Sequence, residues 1–310
     1  MTGLELARAY WEATMPALLE GLDPQVRAVA AFGLVGAGSE CLGFDDGLSR
    51  DHDFGPGYCV WLPSWAHARW GRKLQARYDA LPAEFLGLSR RATPLAGKRV
   101  GVFETGAFYR AFIGLGRAPE TPMEWLRVPE QLMATAVSGE VFADPMGEFS
   151  SIRLALQGFY PEPVVRKKMA ADLASMAQAG QYNLPRCLRR GDPVAANAAR
   201  AEFLSSLVAA LHLLSRTYMP FYKWAYRSLG SHARTAASLV GLVGKMARAP
   251  VAEVSQADVE LACGVVRRAV LALGWARTSS DFLLDVAREV QDGIDDELLR
   301  GLPIGEGGVR

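Results

Sequence analysis

The character of the sequence changes near residue 150, and this change limits the fold more than any other feature. Before it, apolar runs with β-branched residues predict strands at 98–104 (KRVGVFE) and 140–144 (EVFAD). After it, only long alanine- and leucine-rich helical patterns follow. These patterns cover residues 164–179, 193–218, 221–229, 235–247, 256–273 and 279–302. We therefore expect an α+β fold, with a small mixed sheet and flanking helices in residues 1–150 and an all-α helical domain in residues 151–310.

Helical spacing of apolar residues also predicts helices in the first half of the chain, whereas no regular structure is expected at its end. The predicted helices are residues 2–20, 65–81 and 123–137, while 28–35 could be helix or strand and 51–62 reads as extended. A short helix is expected at 40–44 (ECLGF). The last ten residues, GLPIGEGGVR, are expected to fray.

The composition is that of a globular protein and gives no support to a nucleic-acid or membrane partner. Of 310 residues, 50% are hydrophobic and 22% are charged, and the net charge is only +1. The four cysteines form no CxxC pair, which disfavours a zinc site or a disulfide framework. The start of the chain lacks a signal-peptide pattern, and the apolar stretch 204–214 is too short to span a bilayer. We expect a cytoplasmic protein.

Residues 38–57, GSECLGFDDGLSRDHDFGPG, crowd acids beside glycines between two apolar runs. Asp51 and Asp53 are two residues apart, so on a strand they share a face, where their mutual repulsion favours a cation such as Mg²⁺. His52 would point to the opposite face. The Gly38-Ser39 turn has the character of a phosphate site. Arg50 could either steady a phosphate or pair with the local acids.

The spacing adds specificity, because eleven residues separate Gly38-Ser39 from Asp51-x-Asp53. This pattern resembles the signature of the polymerase-β-type nucleotidyltransferase superfamily. The resemblance implies that Gly38 and Ser39 contact a triphosphate and that Asp51 and Asp53 bind two divalent metals, Mg²⁺ or alternatively Mn²⁺.

The superfamily resemblance also implies a third carboxylate on a later strand. Two acids end predicted strands, Glu104 and Asp144. We choose Glu104, as a metal ligand or general base, because its strand follows the Asp-x-Asp strand in the manner of the superfamily. Asp144, in VFADPMG, reads more readily as a turn residue, as do Asp45 and Asp46 in DDG. A chain in which neither Glu104 nor Asp144 reaches the site would depart from the three-carboxylate pattern.

Three longer segments resemble the DUF4037 family, whose members belong to the same superfamily and carry a helical C-terminal domain. The segments are GSECLGFDDGLSRDHDFGP, WLRVPEQLMATAVSGEVFADPMGEFSSIRLAL and SRTYMPFYKWAYRSL, and the resemblance spans roughly residues 28–230.

In related transferases the helical domain closes over the nucleotide. The basic residues of the second half are therefore candidates for binding the triphosphate. Arg190 and Lys223 are the strongest, as phosphate ligands, because each lies in a segment that resembles the family pattern. Arg166, Lys167 and Lys168 begin a predicted helix and are expected on a solvated face. Aromatic residues at 218, 222 and 224 and His212 are expected in the core.

The resemblance therefore implies a Mg²⁺-dependent nucleotidyltransferase that uses a nucleoside triphosphate such as ATP. It would transfer the nucleoside monophosphate to a hydroxyl of a small-molecule acceptor and release pyrophosphate. The near-neutral charge disfavours a nucleic-acid acceptor. Two alternatives stay open: a catalytically inactive nucleotide-binding or regulatory protein of the same fold, and a transferase directed at tRNA or protein.

Overall fold

The computed structural model describes residues 1–48, 54–90, 98–232 and 237–309. The chain forms two compact units. The first comprises Met1–Ala118 and Leu132–Gly158, and the second comprises Pro119–Gln131 and Phe159–Arg310. The domain boundary predicted at residue 150 falls inside a helix of the first unit, and residues 119–131 belong to the second unit.

The first half of the chain contains short strands and several helices. The elements are α1 (Gly3–Leu19), α2 (Pro24–Val29), β1 (Ala31–Leu34), β2 (Cys59–Leu62), α3 (Ser64–Asp79), β3 (Glu84–Phe85), β4 (Leu88–Ser89), β5 (Gly101–Glu104), α4 (Thr105–Ile113), α5 (Pro122–Arg127), α6 (Glu130–Val137), β6 (Glu140–Ala143) and α7 (Glu148–Gln157). The predicted helix 123–137 is two helices, α5 and α6, because Pro129 disfavours helical backbone at Val128.

The first unit is built on a four-stranded mixed sheet with the order β5-β2-β1-β6. Strand β1 runs antiparallel to both β2 and β6, and β2 runs parallel to β5. The α+β fold and the small mixed sheet expected from the sequence are therefore confirmed. The predicted strand 51–62 is shorter than expected: its described part starts at Phe54, and pairing begins at Cys59.

Aromatic residues hold helices to both faces of this sheet. Trp61 of β2 is fully buried and stacks on Phe149 of α7, with ring centroids 3.8 Å apart. Tyr58, just before β2, meets the ring of Tyr10 in α1 at 5.8 Å and the ring of Tyr78 in α3 at 5.2 Å. Helices thus cover both faces of the sheet. Every residue of β1 and β2 is therefore buried, and both strands have continuous apolar sequences instead of alternating apolar and polar residues.

The second unit is helical after residue 158. Its elements are α8 (Glu162–Met176), a π-helical segment (Ala177–Asn183), α9 (Leu184–Arg189), α10 (Pro193–Leu214), α11 (Tyr222–His232), α12 (Ala237–Arg248), a 3₁₀ turn (Val251–Glu253), α13 (Gln256–Ala272), α14 (Leu283–Asp292) and α15 (Glu297–Arg300). The predicted helix 279–302 is interrupted: α14 ends at Gly293, and the Asp296 carboxylate begins α15 by accepting from Leu299 N at 2.9 Å.

Helix α10 has 22 residues and, by length and composition alone, could cross a membrane. Its residues Phe203 and Ser206–Leu213 are buried, and the helix packs against α8. Core helices of globular proteins pass the same test of length and composition, and the burial of α10 matches that role.

Helix α8 is the buried centre of the second unit, and it carries two lysines inside. Lys167 is fully buried, and its Nζ donates to Gln291 Oε1 at 3.0 Å, Pro303 O at 2.9 Å and Ile304 O at 3.0 Å. Three acceptors for three N–H groups replace the water that burial removes. The expectation of a solvated face at residues 166–168 is therefore wrong for Lys167 and Lys168.

The C-terminal tail is held in place by the same helix. Lys168 Nζ donates to Gly307 O at 3.1 Å and lies 3.5 Å from the Glu130 carboxylate, which is also buried. The backbone N–H of Val309 donates to Asp172 Oδ1 at 3.3 Å. The expectation of a frayed tail is wrong, because the buried charges of α8 need the polar backbone that residues 303–309 supply.

Lys167 gives the stability of the protein a definite pH dependence. Burial lowers the pKa of Lys167 to about 8, so above that pH the folded protein releases a proton that the unfolded chain still holds. Stability must then rise with pH. We expect the free energy of unfolding, relative to Lys167→Met, to rise between about pH 8 and about pH 10 by at most about 1.4 kcal/mol per pH unit.

Urea titrations at each pH measure the difference in the free energy of unfolding between wild type and Lys167→Met. Lys73→Met, which removes an exposed lysine of α3, controls for the loss of one positive charge. A difference between wild type and Lys167→Met that stays flat or falls above pH 8 would contradict the assignment.

Candidate functional site

The strand register decides which loops of the first unit can share a site. Gly33 of β1 lies opposite Cys59 of the antiparallel β2, so the residues after β1 and those before β2 leave the sheet at one edge. Gly101 of the parallel β5 also pairs with Cys59, which brings Lys98 and Arg99 to that edge. We call it the Gly38 edge, after the turn that follows β1.

The Gly38-Ser39 turn is closed by backbone hydrogen bonds and does not start a helix. Ser39 O accepts from Leu42 N at 3.1 Å and from Phe44 N at 2.8 Å. Gly43 has a φ of +70°, a left-handed conformation that stops any further helical turn. The short helix expected at ECLGF is therefore absent from these described residues, and no helix N-terminus contributes to anion binding there.

An arginine that the sequence analysis did not single out contacts this turn. Arg99 Nε donates to Ala37 O at 2.9 Å, and Arg99 Nη2 forms an ion pair with Glu40, whose side chain is only 10% exposed. Gly38 has a φ of +138°, and a Cβ there would overlap Arg99 Nη2 and Glu40 Oε2. Glycine is favoured at position 38 by its backbone conformation, whereas the overlapping atoms are the ends of flexible side chains that can shift.

The acidic pair itself lies outside the described residues. Arg50, Asp51 and Asp53, with His52 between the aspartates, fall within residues 49–53, which the structure does not describe. Two neighbouring acids are described. Asp46 Oδ1 accepts from Leu48 N at 3.0 Å, as in turn-forming aspartates. Asp45 Oδ2 instead accepts from Gly3 N at 2.9 Å and ties the segment to the start of α1.

The structure does not bring Glu104 to the Gly38 edge. Glu104 pairs with Leu62, the last residue of β2, and so lies at the opposite edge of the sheet. Its Oε2 accepts from Ala107 N at 3.1 Å and thereby caps α4. The carboxylate predicted to complete the metal site is held in a helix cap, facing away from the turn that it was expected to join.

Asp144 lies at the same opposite edge, because it follows β6, whose Ala143 pairs with Phe32 near the start of β1. Its two carboxylate oxygens accept from Gly147 N at 2.9 Å and Ser150 N at 2.7 Å, which fixes the turn into α7. Partial burial raises the pKa of neighbouring Glu148, with smaller contributions from the charges of Asp144 and Glu104. Across the described ranges, no group of three His, Cys, Asp or Glu side chains could hold a metal ion.

The two basic candidates of the helical half lie in the second unit. Arg190 is exposed at the end of α9. Lys223 is exposed on α11, and its Nζ lies 5.9 Å from the ring centroid of Trp224, which Arg227 also approaches, at 5.6 Å. Within the described part of the chain, neither Arg190 nor Lys223 has an ion-pair partner, so both cations are available to an anionic ligand.

His212 and the buried acids of the second unit make hydrogen bonds inside the core. His212 is fully buried, with Nδ1 2.9 Å from Thr217 Oγ1 and Nε2 3.1 Å from Ala225 O. Glu130 Oε1 accepts from Met219 N at 2.9 Å. Burial raises the pKa of both Glu130 and Asp172, and the charge of Lys168 between them opposes that rise.

Residues 125–225 match the family model described as "Domain of unknown function (DUF4037)". This match supports the DUF4037 family over these residues. The comparisons with curated proteins and with solved structures found no match.

The DUF4037 match covers one set of candidates and leaves out another. It includes Arg190 and Lys223, and the buried Glu130, Lys168 and Asp172. It begins after Gly38, the Asp51-x-Asp53 pair and Glu104. The match thus covers the second of the three segments that resemble the DUF4037 family and most of the third. The resemblance of Gly38-Ser39 and Asp51-x-Asp53 to the superfamily signature rests on the sequence alone.

Gly38→Ala tests the backbone conformation of this turn. The φ of +138° predicts a loss of about 1–3 kcal/mol in the free energy of unfolding. Gly47→Ala, where a Cβ meets no atom within 4 Å, is the matched control and should cost less than about 0.5 kcal/mol. Equal stabilities for the two variants, measured in urea, would contradict the described turn.

Glu104 variants separate a helix cap from a metal ligand. Glu104→Ala should lower the free energy of unfolding by about 1 kcal/mol, because α4 loses its cap. Glu104→Gln keeps an oxygen acceptor and should retain most of that stability. Because Glu104 lies away from the Gly38 edge, neither variant should change the affinity for any Mg²⁺–nucleotide complex that the protein binds, measured by titration calorimetry. Loss of that affinity in a stable Glu104→Gln protein would show that this carboxylate reaches the metal.

Proposed function

We propose that the first unit binds a nucleoside triphosphate with Mg²⁺ at the Gly38 edge and transfers its nucleoside monophosphate to a hydroxyl of a small molecule. The observation that carries this proposal is the guanidinium of Arg99, held beside the turn of Gly38 and Ser39 at the edge from which the chain after Asp53 enters β2. A guanidinium carries several N–H donors, so Arg99 can share them between Glu40 and a phosphate.

The proposed reaction exchanges one phosphorus–oxygen bond for another. The acceptor hydroxyl attacks the α-phosphorus, the bond to the β-phosphate breaks, pyrophosphate leaves and the hydroxyl proton passes to a base. Positioning and charge neutralisation supply most of the catalysis in such transfers. In this chain Gly38 and Ser39 would seat the phosphates, and Arg99 would offset their charge. Arg190 and Lys223 belong to the second unit and are given no part in this step.

The residues at the Gly38 edge fit a phosphate group better than they complete a metal site. The guanidinium of Arg99 lies next to Gly38, and the carboxylate of Glu40 forms an ion pair with Arg99, so Glu40 is not a free metal ligand. Asp51 and Asp53 would hold Mg²⁺, with water and phosphate oxygens as further ligands. Bound there, the ion would neutralise the triphosphate and polarise it toward attack.

A second candidate function is nucleotide binding without turnover. One specific observation favours it: Glu104 and Asp144, the two candidates for a third carboxylate, cap helices at the opposite edge of the sheet. A site with only two aspartates could bind Mg²⁺ and a nucleotide and yet lack a base for the acceptor hydroxyl.

Calorimetric titration of nucleoside triphosphates with and without Mg²⁺ tests the shared part of both candidates. We expect Asp51→Asn/Asp53→Asn to lose Mg²⁺-dependent binding by at least about tenfold, because the metal loses both carboxylates. Asp45→Asn/Asp46→Asn removes the same charge from the same segment and should bind as wild type does. Binding that ignores both Mg²⁺ and the Asp51/Asp53 change would contradict the proposed site.

A pyrophosphate-release screen then separates the two candidates. The acceptors are aminoglycosides, lincosamides, sugars and tRNA. Release that depends on Mg²⁺ and on a small-molecule acceptor supports transfer. Magnesium-dependent binding without release on any acceptor supports the non-catalytic candidate.

A further inference from the structure

A cavity of about 670 Å³ opens among α10, α11 and α12 in the second unit. Its walls are mainly apolar and include Val208, Met219, Phe221 and Val243. All of its lining residues belong to the second unit, so it is independent of the Gly38 edge and of the function proposed for it.

The size and walls of the cavity suit one small organic molecule. Ligand sites are typically concave, apolar and about 300–1,000 Å³ in volume, with few polar groups that fix orientation. Phe221 and Tyr226 line the cavity and each stays 43% exposed. Their rings offer partly open aromatic surface that a planar ligand can cover.

One corner of the cavity is polar, because two polar side-chain groups lie over a glycine that has no side chain to exclude them. A Cβ on Gly244 would lie 2.5 Å from Tyr226 Oη and 3.1 Å from Arg248 Nη1, so both groups converge on the space above this residue. Tyr226 Oη donates to Val240 O at 3.0 Å. Arg248 lines the cavity, is exposed and has no ion-pair or hydrogen-bond partner in the described ranges.

We propose that this cavity binds a small organic anion with an aromatic body and a carboxylate. The rings of Phe221 and Tyr226 contact the aromatic body. The guanidinium of Arg248, whose fork of N–H groups matches a carboxylate, receives the anionic group. Among the described residues that line the cavity, Arg248 is the one cation, and a single cation at one end of an apolar cavity favours a monoanion over a neutral ligand or a polyphosphate.

Titration calorimetry with 2-naphthoate and its neutral counterpart 2-naphthamide tests this inference. We expect wild type to bind naphthoate about tenfold more tightly than naphthamide, as a charge-assisted contact at a partly open site would give. Arg248→Gln should remove that tenfold preference and leave naphthamide binding unchanged. Ala247→Trp, which adds a large ring at an exposed position of the cavity wall, should weaken both ligands.

The chain offers a matched control in α13. Arg268 is exposed and its Nη1 lies 3.4 Å from a Cβ placed on Gly264, the same four-residue geometry as Arg248 over Gly244, but it does not line the cavity. Arg268→Gln should bind both ligands as wild type does. Circular dichroism and thermal melting verify that each variant is folded.

Three results would overturn the inference. They are no measurable naphthoate binding by wild type, an unchanged naphthoate preference in Arg248→Gln, and wild-type affinities in Ala247→Trp. Sedimentation supplies a fourth: a wild-type dimer that Ala247→Trp dissociates would show that a second copy of the chain covers this surface.

Discussion

The pairing of β1 with β2 is the constraint on which the first unit depends. With four-residue strands, a residue at one end of the sheet cannot reach the other. The register places Arg99 beside the Gly38 turn and places Glu104 at the opposite edge. The same register therefore separates the proposed phosphate site from Glu104, the carboxylate that was expected to complete the metal site.

The second unit depends on a different interaction, the solvation of buried charge by backbone. Lys167 and Lys168 lie inside α8, and residues 303–309 supply carbonyl groups to them. Leaving a buried ammonium without acceptors is far more costly than ordering a short tail. This explains why a glycine-rich terminus is held against the core, and why Val309 reaches the cavity that Arg248 lines.

Much of the fold was predictable from local sequence patterns, and most of the site was not. The strands at 101–104 and 140–143 and the long helices follow from apolar periodicity, which local sequence carries. The burial of Lys167 does not, because a charged triplet at a helix start has the same pattern whether its partners are water or a tail more than 130 residues away. The roles of Arg99 and Glu104 depend on strand register, which is set by pairing between distant segments.

Paramagnetic broadening in amide-labelled protein most directly tests whether a metal–nucleotide complex binds at the Gly38 edge. Mn²⁺ with a non-hydrolysable ATP analogue should broaden the amide resonances of Gly38, Ser39 and Arg99 much more strongly than those of Glu104 and Ser150. Asp51→Asn/Asp53→Asn should abolish the effect. Broadening centred on Glu104 and Ser150, with Gly38 unaffected, would contradict the account.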